Sequence, residues 1–468
     1  MIREMFEKCT YEQRRAELKK MMGNGIGLFL GNAESPINYA DNTYVFRQDS
    51  TFLYFFGIRK PNLAAIIDFE SGEEMVFGDE ADIDDIIWTG PQPTIADYAT
   101  LCGVGMTYPL RKLDDVLKVA VSRGRKVHYL PPYRADNILQ IEHLLGIHSS
   151  KVGEESSMQL IKSVIDLRAT KSDEEIEEIE KACEIGYDMH VSAMHMVKSA
   201  LNESQIHSVV DSIPLKYGGR LSFATILSQD GQTLHNHSHN LPIQPGRLML
   251  VDAGAETAMG YASDFTRTFP VSGKFTQMQK EIYQIVLDTN DRALELARPG
   301  VTYQSVHLQC CKVIASGLKD LGLMKGDVDE AVASGAHALF LPHGLGHMMG
   351  LDVHDMENLG QIYVGYNNET RPIDQFGTSS LRMGRKLEPG FVVTDEPGIY
   401  FIPELVAKWK REHTNEQFIN FSKVEQYLGF GGIRIEDDLL ITANGARRLG
   451  RKRVPAKIED VENEIAKG

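Results

Sequence analysis

A chain of 468 residues is longer than one compact core needs, so two domains are expected. Its 42% hydrophobic and 24% charged content is that of a water-soluble globular protein, and a net charge of −16 argues against nucleic acid and anionic membrane as partners. Five cysteines (Cys9, Cys102, Cys183, Cys310 and Cys311) form no CxxC pattern, which points to reduced thiols in the cytoplasm and away from a disulfide frame or zinc site.

The opening MIREMFEKCTYEQRR carries no apolar signal core, and no run approaches the ~18 apolar residues of a membrane span. Thr10 to Met22 reads as a helix, with Thr10 as N-cap and Gly23 and Gly25 closing it. The apolar runs IGLFLG, FLYFFG and LAAIIDF follow, bounded by Gly, Pro and Asn, and read as strands of an α/β layer. A helix around Leu113–Val121, a strand KVHYLP and a helix after Pro132 complete a first domain without a dense chemical cluster; shaping the site and oligomer contacts are its expected tasks. The polar stretch near 150–170 sets the boundary, giving domains 1–160 and 161–468. A strong helix follows in KSDEEIEEIEKACEIGYDMHVSAMHMV, its acidic first turn suiting the helix dipole; His190 and His195 on it read as ordinary helix-face histidines.

From residue 220 the texture becomes strand-like. LMLVDAGAE and YASDFTRTFPV read as a hairpin with a short turn around Ala258–Gly260, and a turn centred near Ala258 sets Asp252 and Asp264 opposite each other ~5 Å apart. Two such carboxylates repel unless a cation lies between them. Helices are expected over 276–296 and 302–322. The stretch FLPHGLGHMMGLDVHD then places His343, His347 and His354 beside Gly344, Gly346 and Gly350, so a backbone can come close to whatever the imidazoles hold. In VVTDEPG, Thr394 and Glu396 share one strand face, and in GGIRIEDD, Arg434 and Glu436 share another.

Asp252, Asp264, His347, Glu396 and Glu436 together supply four carboxylates and one imidazole. Hard oxygen donors with one nitrogen suit Mn²⁺, and also Co²⁺ or Zn²⁺. Four carboxylates exceed the need of one ion, so two ions ~3.5–4 Å apart are expected, with a bridging water as nucleophile.

The motifs VDAGAE…SDFTRTFP, LPHGLGHMMGLDVHD, VVTDEPGIYF and GGIRIEDDLL resemble the prolidase and aminopeptidase P family of dinuclear metallopeptidases, and FRQDSTFLYFFGIRKP is similar to that family's N-terminal domain. The resemblance implies an α+β pita-bread catalytic domain behind an N-terminal α/β domain of the creatinase/prolidase type, and homodimers are common among such proteins. It assigns Asp252 to one ion and His347 to the other, makes Asp264 and Glu436 bridges, and gives Glu396 a ligand's place and the general base's role. His235 matches the histidine near the scissile carbonyl, His354 the one steadying the tetrahedral intermediate, His343 an outer histidine, and Arg434 an arginine that orients the glutamates. One residue more than usual separates the two aspartates, which implies a longer turn or a bulge. Asn236 follows His235 where an aromatic residue is common, which bears on the shape of the substrate pocket.

The implied substrates are small peptides with proline second, hydrolysed by a metal-bridging hydroxide. Arg382, in SLRMGRKLEPG, matches the arginine with which prolidases fork a free carboxylate. The expectation is therefore an Xaa-Pro dipeptidase, with an Xaa-Pro aminopeptidase acting on longer peptides as the alternative.

Overall fold

The computed structural model describes residues 4–468. Its contacts divide the chain into one unit running to Arg168 together with Met356–Tyr363, and a second comprising Ala169–Asp355 and Val364–Gly468.

The first unit is built on a five-stranded mixed sheet in the order Met106–Tyr108, Glu74–Phe77, Ala64–Asp68, Ile26–Leu30, Val127–His128. The two-residue period of a strand sorts its side chains between the faces. Ile26, Leu28, Ala64 and Ile66 pack with Leu113 and Leu117 of helix Lys112–Ser122 and with Ile141 and Leu144 of helix Ala135–Leu145. Phe29 instead meets Phe55 and Phe56, at ring-centroid distances of 5.3 and 5.9 Å. Those two rings belong to FLYFFG, which is a helix (Ser50–Phe56) and not the strand expected from its apolar run. A buried apolar run of this length has no exposed face to reveal its period. The caps decide it: Asp49 accepts from the Phe52 amide, and Gly57 closes the helix at φ 67°. The opening helix spans Lys8–Met22 with Glu7 at its N-cap, so Thr10 lies inside it, while Gly23 at φ 74° ends it.

The second unit repeats one order of elements. Helices Asp173–Met196 and Glu203–Lys216 precede the antiparallel sheet of Ile226–Ser228, Leu248–Ala253 and Phe265–Pro270. Helices Gln277–Leu296 and Tyr303–Asp320 precede the antiparallel sheet of Val392–Asp395, Asp437–Ile441 and Ala446–Arg448, with Gly398–Tyr400 pairing with Gly432–Arg434 beside it. A bridge between Thr266 and Glu436 joins the two halves at the point where the acidic residues lie. The first helix begins with the capping box of Ser172 and Glu175 that its acidic start suggests. Among the described residues no helix is long and apolar enough to cross a membrane.

Candidate metal centre

The site lies at strand ends, where the backbone is pinned by the sheet while the last side chains project beyond it. Asp252 is the next-to-last residue of Leu248–Ala253, Asp264 immediately precedes Phe265–Pro270, Glu396 follows Val392–Asp395, and Glu436 precedes Asp437–Ile441. The pairing corrects one expectation. Asp252 stands opposite Thr266, and Asp264 is its diagonal neighbour on the same face. The turn is centred on Met259, with the Thr257 amide bonded to the Tyr261 carbonyl, and pairing runs without a bulge from Leu248 with Pro270 to Glu256 with Ala262. The extra residue between the aspartates is absorbed by the turn.

The histidine loop reaches the site by lying against Val392–Asp395 like a further strand. The Thr394 amide donates to the His347 carbonyl and the Glu396 amide to the Leu345 carbonyl, both at 2.9 Å. Gly346 makes this possible, since a Cβ there would sit 2.1 Å from the Thr394 carbonyl oxygen. The approach brings donor atoms of Asp264, His347 and Glu436 within 4.8 Å of one another. His347 Nε2 is 3.5 Å from Asp264 Oδ2 and 3.7 Å from Glu396 Oε1. Its Nδ1 faces the Met348 carbonyl at 3.1 Å, which accepts only, so the proton sits on Nδ1 and the Nε2 lone pair points at the carboxylates.

This cluster is costly when it holds only its own charges. Asp264 and Glu436 are driven well above the ordinary carboxylate range, first by burial and then by neighbouring carboxylates. Glu396 is pushed up to about 7 by burial, against the pull of Arg434. Asp252 Oδ1 and Asp264 Oδ1 are buried with no hydrogen-bond partner among the described residues. Orphaned carboxylate oxygens aimed into a nest of like charge fit divalent cations, and the donor set of oxygens with one imidazole nitrogen suits hard to borderline ions.

Neutral and cationic groups hold the carboxylates in place. The Thr266 hydroxyl donates to Glu436 Oε2 at 2.6 Å and accepts from Arg434 Nε at 3.0 Å. Thr394 does the matching work in the other half, accepting from the His347 amide at 3.1 Å and donating to Glu396 Oε1 at 3.4 Å. Arg434 donates to Asp252 Oδ2 at 2.5 Å and to the Tyr400 hydroxyl at 2.8 Å, and that hydroxyl donates to His343 Nε2 at 2.9 Å. The Asp264 amide donates to Asp438 Oδ2 at 3.0 Å.

Of the remaining candidates named from the sequence, His354 and His343 lie against this cluster, and His235 and Arg382 are linked to it through charge. The ring of His354 lies 4.1 Å from that of His347, centroid to centroid. His343 Nδ1 is 3.7 Å from Glu396 Oε2, and burial lowers its pKa to about 3. His235 lies on an exposed turn; partial desolvation and then the charge of Arg434 lower its pKa, which puts its ring in the field of that arginine. Arg382 is half-buried, and its charge acts on His343, His347 and Glu396. His190 and His195 stand apart, on the Ala253 carbonyl and on Glu464. Thr266, Tyr400 and Asp438 went unnoticed in the sequence, and Thr394 was read only as sharing a strand face with Glu396, not as its hydrogen-bond donor. Thr266 could have been found the same way, because it shares a strand face with Asp264 two residues away; Tyr400 carries no such signal.

Residues 177–443 match the model of metallopeptidase family M24, and residues 11–129 that of the aminopeptidase P N-terminal domain. The chain is 30% identical to the Homo sapiens Xaa-Pro dipeptidase over 94% of its own length and 89% of that protein's. It is 31% identical to an Escherichia coli Xaa-Pro aminopeptidase over 97% and 96%. Similar solved structures include E. coli aminopeptidase P with the inhibitor Pro-Leu (31% identity, 99% of both chains, TM-score 0.80). Another is the Yersinia pestis proline aminopeptidase P II (28% identity, 99% and 100% of the chains, TM-score 0.82).

Proposed function

The chain belongs to metallopeptidase family M24, whose members carry a dinuclear divalent-metal site in a pita-bread domain, and within it we propose an Xaa-Pro dipeptidase. The observation that carries this reading is Arg382, whose charge is felt at His343, His347 and Glu396. A guanidinium near the reacting centre suits a substrate whose free carboxylate follows directly on the proline, because the two fork together bidentately. Asp252, Asp264, His347, Glu396 and Glu436 would hold two divalent ions, with Mn²⁺ proposed first and Co²⁺ or Zn²⁺ as substitutes.

When bound, the ion pair supplies Lewis-acid polarisation of the scissile carbonyl and a water acidic enough to attack near neutral pH. Glu396 would take the proton of that water on a carboxylate oxygen and return it to the proline nitrogen as the C–N bond breaks. His354 and His235 donate to the carbonyl oxygen as it becomes tetrahedral. Arg434 and Tyr400 hold Asp252 and His343 in line through the transfer. The X-Pro amide has no N–H, so recognition must come from the ring and the two termini.

A homodimer in a reducing cytoplasm completes the proposal. Helix Ile83–Thr89 buries none of its residues and exposes Ile83, Ile87 and Trp88, which offers an apolar face for a second copy. All five cysteines are free.

The alternative, removal of the first residue from longer Xaa-Pro peptides, is favoured by the likeness to solved aminopeptidases P over 99% of the chain. Hydrolysis of Ala-Pro, and of Ala-Pro extended by several residues, by Mn²⁺-loaded protein separates the two. The dipeptidase cleaves Ala-Pro preferentially, and Arg382→Ala raises its KM by about 10- to 100-fold, the loss of a charge-assisted hydrogen-bonded pair. Preference for the longer peptide, with no response to Arg382→Ala, would make this an aminopeptidase.

A further inference from the structure

Away from the carboxylates, helix Tyr303–Asp320 carries His307 and Cys311 one turn apart on one face, and the 3₁₀ turn Ala336–Leu339 lays His337 against them. All three side chains are fully buried, and one ligand atom from each lies within 4.8 Å of the others. Cys311 Sγ is 3.5 Å from His307 Nε2. The edge of a tetrahedral site with metal–sulfur and metal–nitrogen bonds of about 2.3 and 2.05 Å is also about 3.5 Å. His337 is the independent sign: both of its ring nitrogens are buried without a hydrogen-bond partner among the described residues. An aromatic or aliphatic side chain would fill this place without leaving two polar atoms unpaired. The cysteines read in sequence as remote from any metal site, because no CxxC is present; the pair here is His-x₃-Cys on a helix, completed by a residue from another element.

We propose that His307, Cys311 and His337 form a further metal site, specific for a thiophilic first-row ion such as Zn²⁺, that ties helix Tyr303–Asp320 to the base of the histidine loop. The donor set is softer than the carboxylate cluster and selects differently among ions. Burial keeps both imidazoles neutral, with pKa values lowered to about 3 and about 4, so each has a lone pair to give. Binding replaces the Cys311 S–H bond with a sulfur–metal bond and releases one proton to solvent, with no redox change. The site is placed to matter: the Phe340 and Leu341 amides donate to the His337 carbonyl at the start of the loop bearing His343 and His347. At the head of the same helix, the Tyr303 hydroxyl donates to the Thr394 carbonyl at 2.6 Å.

The experiment is a Co²⁺ titration of metal-free full-length protein followed by near-ultraviolet absorption, where thiolate-to-Co²⁺ charge transfer appears and oxygen and imidazole ligands give no such band. The expected result is a further equivalent beyond those taken by the carboxylates, with a charge-transfer band that Zn²⁺ bleaches. The band should be lost in Cys311→Ala and weakened in His337→Phe. It should be kept in Cys310→Ala, whose sulfur faces the Thr289 carbonyl instead. A titration that saturates the carboxylate site with no band overturns the proposal, as does a band that survives Cys311→Ala. The wild-type result stands alone if a variant fails to fold, and neither outcome depends on which peptides the enzyme cleaves.

Discussion

Replacing Glu396 by Gln should stabilise the metal-free protein at neutral pH while destroying the enzyme. Burial raises the Glu396 carboxyl from 4.5 to about 7. A carboxyl whose pKa is raised in the folded state contributes stability that is fully present below pH 4.5 and is lost as pH rises through about 7. A rise of about 2.5 units corresponds to about 3 kcal/mol. Glutamine matches the protonated acid in shape and never charges, so the stability difference between Glu396→Gln and wild type should grow by about that amount between pH 4.5 and pH 7.5. Asp264 and Glu436 feel the Glu396 charge, so its removal eases their ionisation and acts in the same direction, towards a variant that gains with rising pH. The assay is urea unfolding of both proteins across this range in the presence of a chelator. Adding Mn²⁺ should reverse the ranking, because the ions bind the charged carboxylate and stabilise the folded state in proportion to their occupancy. A chelated variant whose advantage is flat or shrinks with rising pH would refute the claim that like charge and burial dominate this cluster.

Further outcomes follow from the groups that orient the ligands. With Mn²⁺ present, Glu396→Gln should lower kcat on Ala-Pro by about 10²- to 10⁴-fold, the usual worth of a positioned base, with bound metal counted alongside. Thr266→Val leaves Arg434 Nε without an acceptor and Glu436 without a donor, so divalent affinity should fall by about 10- to 100-fold in chelator competition. Tyr400→Phe breaks the link between Arg434 and His343 and should lower kcat/KM by about 10-fold or more, leaving metal content unchanged. Gly346→Ala forces the loop off the Thr394 carbonyl and should cost roughly 1–3 kcal/mol in thermal unfolding, with metal lost in parallel.

Sequence alone determined the chemistry on offer and much of the local structure. Carboxylates and histidines embedded in strand-like and glycine-rich motifs announce themselves, because hard donors beside apolar runs have few other uses. The helix Asp173–Met196 was legible from its acidic first turn and helical spacing, and the strands Ile26–Leu30 and Ala64–Asp68 from their apolar runs between turn residues. FLYFFG was misread because a wholly buried run shows no period, and only its packing against Phe29 and its end caps make it a helix.

What tertiary structure alone decided is proximity between residues far apart in the chain. The hairpin register made Asp252 and Asp264 diagonal and not opposite, since moving the turn centre by one residue shifts every partner across the strands by two. Thr266 and Thr394 came to hold carboxylates by different routes: Thr266 reaches Glu436 across the bridge that joins the two halves, and Thr394 lies two residues before Glu396 in the chain. His337 met His307 and Cys311 only because the 3₁₀ turn packs on the helix. Local preference spans a few residues, whereas a binding site is a property of which distant surfaces bury each other.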